Sequence, residues 1–144
     1  MINEFKGKYS WLSNFYECKV IHEGIEYKNS EAAFQAAKCI TREYKLHFTN
    51  LTGKEAKHLS RSVTLRKDWQ FVKDKIMYDI VKDKFTRNQD LKEKLVATQG
   101  ELIEGNIWGD TYWGVCDGNG YNILGKILMK VRKELGGEKQ YEKY

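Results

Sequence analysis

No proline occurs anywhere in this 144-residue sequence. The commonest helix breaker is therefore missing, and every reversal of the chain has to rest on glycine, Asn or Asp. Read between such residues, the sequence falls into short elements. Val20-Ile21, Glu23-Gly24 and then Ile25 and Tyr27 make a hairpin with glycine at the bend. Residues 30–38, SEAAFQAAK, form a strong helix with Asn29 or Ser30 as N-cap. Thr52 and Glu55 fit a capping box, which opens a helix running to about Arg61.

From 67 to 85 the apolar residues Trp69, Val72, Ile76, Ile80 and Val81 recur at helical spacing, which gives a long amphipathic helix. Asn88 caps another helix ending near Thr98, with Gly100 behind it. Residues 101–113 are aromatic and turn-rich and suit one or two strands. A last helix over 122–135 buries Ile123, Leu124, Ile127, Leu128, Val131 and Leu135, and Gly136 stops it. The expected fold is α+β: a single compact, mostly helical domain over 1–137 with a few short N-terminal and central strands. The polar tail at 138–144 is expected to fray.

Hydrophobic residues make up 41% and aromatic residues 13%, which excludes whole-chain disorder. No apolar run approaches the ~20 residues a membrane span needs. MINEFKGKYSWLSNF lacks the apolar stretch of a secretory signal. Cys18, Cys39 and Cys116 form no CxxC pair, so neither a disulfide scaffold nor a zinc ribbon fits, and a reducing cytoplasm is the expected compartment. The net charge of +5 permits an anionic partner, a phosphate or a nucleic acid. Basic residues over 54–94 are interleaved with acids, the pattern of solvated helix faces.

Four clusters carry chemistry. At 100° per residue, Glu31, Phe34, Gln35 and Lys38 share one arc of their helix, and Ala32, Ala33, Ala36 and Ala37 occupy the rest. Either this is a solvated stripe, or the alanine back lets the helix lie inside the domain and the stripe lines a cavity. Trp108-Gly-Asp110-Thr-Tyr-Trp113 sets aromatic faces beside a carboxylate. That combination suits a flat heterocycle or sugar, or else the tryptophans fill the core and Asp110 caps a turn. Asn14, in SWLSNFY, either reads polar edges of a ligand or makes a tight turn. Arg66, at the helix start RKDW, offers a guanidinium to phosphate.

The sequence has no GxGxxG after a strand, no GxxxxGK[ST], no HExxH and no GxSxG. His22, His47 and His58 have no metal-ligand spacing with the cysteines. A reaction without metal or nucleotide cofactor is what remains.

SNFY at 13–16, EAAFQAAK at 31–38, LRKDW at 65–69, MYDIVKDKF at 77–85, LIEG at 102–105, DTYWGV at 110–115 and GYNILGKILMKVR at 120–132 together resemble the NADAR family, the YbiA-like N-glycosidases. The resemblance implies a compact, mostly helical α+β fold. It also implies cleavage of an N-glycosidic bond between a (phospho)ribose or ADP-ribose and a nitrogen base. The substrate would be a ribosylamino-pyrimidine phosphate of riboflavin synthesis or ADP-ribosylated guanine in DNA or RNA.

Such cleavage passes through an oxocarbenium-like state at the ribose C1, which a carboxylate stabilises or supplies with activated water. Glu31 and Asp110 are the candidates. Lys38 would hold phosphate or attack C1 to form an iminium. Trp69 and Trp113 would stack the base or ribose, Arg66 would pair with phosphate, and Asn14 and Asn122 would read polar edges. Phe15 and Gln35, inside the same motifs, join them in substrate binding. The alternatives are a non-catalytic ADP-ribose or nucleotide-binding module, and a basic nucleic-acid-binding domain, against which the acids over 67–90 argue.

Overall fold

The computed structural model describes residues 1–137; the tail at 138–144 lies outside the described residues. Helices dominate and the strands form two two-stranded sheets, as expected for α+β. The chain makes two compact units: Asn14–Asn88, and Met1–Ser13 together with the chain from Gln89 onward. Among the described residues no helix is long and apolar enough to cross a membrane.

The unit Asn14–Asn88 begins with the hairpin of β1 (Val20–His22) and β2 (Ile25–Tyr27), antiparallel with Val20 opposite Tyr27. Glu23 and Gly24 both take left-handed backbone, φ 50° and 78°. That is the turn whose twist matches a two-residue hairpin.

The next element, α1 (Ser30–Ala36), is buried along its whole length. Asn29 caps it, accepting the Ala32 N–H at 2.7 Å while its own amide donates to the Leu51 carbonyl at 2.9 Å. The alanines let β1, β2, α3 and α4 all pack on this one short helix. The sequence places the helix end at 38, but α1 stops at Ala36. Its last bonds tighten to i→i+3, with Lys38 N–H on Gln35 O at 3.2 Å and Cys39 N–H on Ala36 O at 3.0 Å.

A five-residue helix, α2 (Arg42–Leu46), follows and was not expected; one turn is too short to leave a 3.6-residue apolar period. Thr41 caps it, and α3 (Gly53–Ser60) carries the expected capping box, with both Thr52–Glu55 bonds present. The long helix is α4 (Trp69–Arg87). It holds the hairpin through Asp83 Oδ2, which accepts the Ile21 N–H at 2.8 Å, and through Asn88 Nδ2, which donates to Lys19 O at 2.9 Å. Asn88 also donates to Lys84 O, so its side chain closes α4.

The buried stripe of α4 contains a cation. Lys84 is 1% exposed, its ammonium 5.0 Å from the Phe85 ring centroid and 5.8 Å from that of Tyr16. Burial pulls its pKa down to about 8. An unfolded lysine titrates near ~10.4, so between those values the unfolded chain holds a proton that the native chain has lost, and stability rises with pH. Below pH 8 both states are protonated and the burial cost is constant, on the order of 3 kcal/mol by that difference. Lys84→Met is expected to flatten the rise of the urea midpoint between pH 8 and 10. An unchanged slope in the variant contradicts this assignment.

In the other unit, Met1–Ser13 contributes a 3₁₀ turn (Gly7–Leu12) and an N-terminal edge. Ile2 donates to Glu101 O at 3.0 Å and accepts from Ile103 N–H at 2.8 Å. Then come α5 (Gln89–Ala97), the short parallel pair β3 (Gly105–Asn106) and β4 (Val115–Cys116), and α6 (Ile123–Glu134). The expected stop at Gly136 is a Schellman turn: Gly136 (φ 111°) donates to Lys133 O, and Gly137 to Arg132 O. Leu91, Leu95, Leu102, Leu124, Leu128 and Val131 form the apolar interior.

Candidate active site

The Glu31 stripe is not solvated, because α1 lies inside its unit. Glu31 and Gln35 are 8% and 5% exposed, one turn apart on α1. Gln35 Nε2 donates to Glu31 Oε2 at 2.5 Å, which fixes the carboxylate's orientation. Gln35 Oε1 and the Ser30 hydroxyl are buried and meet no hydrogen-bond partner among the described residues. Such groups are costly when dry, so a ligand or water is the natural partner for both.

Lys38 lies in the turn just past α1 and is half-buried. Its ammonium is 5.9 Å from the Phe34 ring centroid and 5.7 Å from that of Trp69. The two rings are 5.1 Å apart at 55°. Burial pulls the Lys38 pKa below the ordinary lysine value; the Glu31 carboxylate opposes the shift and the Lys57 charge adds to it. A carboxylate and an amine whose pKa is lowered by burial therefore belong to one short segment. Trp69 itself is only 6% exposed, with its ring against Phe34.

Asn14 and Phe15 come up beside α1 from the start of the unit. The Asn14 carbonyl accepts the Glu31 N–H at 2.9 Å, and its side-chain amide points at Met77 Sδ, 3.5 Å away. Phe15 is 44% exposed, with its ring over the backbone of Gly53: a Cβ there would stand 2.8 Å from the ring. Arg66 is committed elsewhere. Its Nε and Nη2 donate to the two Asp68 carboxylate oxygens at 2.7 and 3.1 Å, and its backbone N–H donates to Lys38 O at 3.0 Å. The residue pins the loop before α4 to the end of α1.

Asp110, Trp113 and Asn122 belong to the other unit. Asp110 Oδ1 accepts the N–H groups of Tyr112 and Trp113 at 3.1 and 3.0 Å, so this carboxylate caps a turn. Asn106 braces the same turn, accepting Asp110 N–H at 3.0 Å and donating to Asp110 O at 2.8 Å. Trp113 is half-buried and meets Tyr112 edge-on at 4.9 Å. Asn122, in left-handed backbone, accepts from Glu104 N–H at 3.0 Å and donates to Leu102 O at 2.9 Å. Both atoms of its amide hold the segment leading into β3.

The sequence reading passed over Ser30, Lys57 and Lys84. Lys84 had a signal: it falls on the apolar stripe through Met77, Ile80 and Val81, where an ordinary lysine is misplaced. Lys57 had none, because an exposed lysine on a helix is commonplace until its neighbours are known.

The NADAR domain model matches residues 2–136. The chain is 31% identical to the N-glycosidase YbiA of Shigella boydii, covering 91% of this chain and 84% of that protein. It is 35% identical to the riboflavin biosynthesis protein VVA0006 of Vibrio vulnificus, covering 88% of this chain but only 36% of that longer protein. Among solved structures, the NMR structure of the E. coli protein YbiA matches with a TM-score of 0.80 and 30% identity, covering 99% of this chain and 89% of that one. With a family model spanning nearly all of its length, the chain belongs to the NADAR family.

Proposed function

We propose that this chain is an N-glycosidase that hydrolyses the bond between a nitrogen base and a ribose carrying phosphate or ADP. The observation that carries the reading is the buried Glu31 carboxylate, oriented by Gln35 and accompanied by Lys38. The names of the Shigella and Vibrio relatives agree with it. As the C1–N bond breaks, positive charge develops at C1 and O4 of the sugar, and a fixed carboxylate in a dry setting stabilises it strongly. Gln35 Oε1 and the Ser30 hydroxyl would take hydrogen bonds from sugar or base.

The proposed reaction uses no metal. Its chemistry rests on a carboxylate, an amine and water, and we place it in a reducing compartment such as the cytoplasm, where the free thiols Cys18, Cys39 and Cys116 persist.

The test is incubation with a ribosylamino-pyrimidine phosphate and, separately, with ADP-ribosylated guanine DNA, each with and without EDTA, with released base scored by mass spectrometry. We expect base from at least one substrate at a rate that EDTA leaves unchanged. No base from either rejects the function, and loss of activity in EDTA rejects metal independence.

A further inference from the structure

The Glu31 site has one cation more than its motifs supply. Lys57, on α3, stands with its ammonium 5.8 Å from the centroid of the Phe15 ring. That ring is itself held over Gly53 at the start of α3, and the residue before it, Asn14, receives the Glu31 N–H. Helices α1 and α3 pack against each other, and the Lys57 charge is felt at Lys38. Two ammonium groups thus belong to one neighbourhood, Lys57 from α3 and Lys38 from the turn after α1.

Like charges brought together disfavour one another unless an anion joins them. The Glu31 carboxylate offsets part of this at Lys38, whereas the one acid on α3, Glu55, is tied into the Thr52 capping box. Nearby cations are already committed, Arg66 to Asp68 and Lys45 to Glu23 at 3.1 Å. The surrounding segment accounts for the whole positive balance of the chain: residues 38–67 hold eight basic side chains against two acidic ones.

We propose that Lys57, steadied on the Phe15 ring, binds the phosphate group of the substrate, so that α3 sets the preference for phosphorylated over unphosphorylated sugars. This rests on the N-glycosidase reading for its substrate, but not for the anion site itself. The phosphate role that the sequence gave to Arg66 passes to Lys57, because the Arg66 fork is closed on Asp68. Lys57 is a binding residue and Phe15 a positioning residue.

The test compares wild-type, Lys57→Ala and Lys57→Arg proteins on a ribosylamino-pyrimidine with and without its 5′-phosphate. It is run beside an NMR titration of each protein with inorganic pyrophosphate. Lys57 is exposed, so the variants are expected to fold. In Lys57→Ala the ratio of kcat/KM for phosphorylated over dephosphorylated substrate should fall at least tenfold, mostly through KM. Pyrophosphate affinity should fall by a similar factor, and Lys57→Arg should recover most of both. An unchanged ratio together with unchanged pyrophosphate affinity overturns the proposal. If wild-type protein cleaves neither substrate, the glycosidase reading fails, and the pyrophosphate titration alone decides the anion site: weaker binding in Lys57→Ala upholds it and equal binding rejects it.

Discussion

Glu31→Gln is expected to lower turnover about a hundredfold or more while leaving the fold intact, because it removes a charge and keeps the shape. The carboxylate is 8% exposed and already accepts a hydrogen bond from Gln35 Nε2. A glutamine at 31 can present its carbonyl to the same donor, so packing around α1 changes little. What is lost is the negative charge that the proposed mechanism sets against the developing oxocarbenium. The loss should appear in kcat more than in KM, since the ground-state sugar carries no positive charge at C1. Near-wild-type turnover in a folded Gln variant would remove Glu31 from the chemistry and leave it as a structural partner of Gln35.

The second large effect is expected at Lys38. A buried lysine whose pKa is lowered holds more neutral amine near neutrality than an exposed one. The amine can attack the ribose C1 while the leaving base takes up a proton. The N-ribosyl-lysine then opens to an iminium, and water hydrolyses it to free sugar and lysine. Borohydride reduces such an iminium to a stable secondary amine, so wild-type protein should gain the mass of the reduced sugar during turnover, and Lys38→Ala should not.

The rate should also climb with pH on a limb lying below the ordinary lysine range, since the neutral amine is the reactive form. Turnover with no adduct after reduction points instead to direct attack by water, with Lys38 left as a phosphate ligand. An adduct that persists in Lys38→Ala assigns the nucleophile to another lysine.

Much of this molecule was legible as sequence, and the reasons are local. The Thr52–Glu55 capping box, the Glu23-Gly24 bend, the Asn29 cap and the Gly136 stop each depend on a few neighbouring residues whose backbone needs are fixed by their own chemistry. Alanine on the back of α1 left an interior helix and a solvated stripe both open, and burial of the whole helix decided for the interior. The Glu31–Gln35 pair followed from the same spacing.

Long-range partners stayed invisible. Arg66 read as a phosphate ligand, and the fold gives its backbone N–H to the distant Lys38 carbonyl. Asn122 read as a ligand contact, but its amide holds the backbone of Leu102 and Glu104. Lys57 read as a solvated helix residue until packing laid the Phe15 ring beneath it.

The sequence by itself determined the longer helices and most of their starts, and that Glu31 and Gln35 share one face, but not the one-turn α2 or the end of α1. Periodicity and capping act within a turn or two of chain. Only the tertiary structure decided which polar side chains keep their hydrogen-bonding capacity for a ligand, because that depends on neighbours tens of residues away competing for the same donors and acceptors.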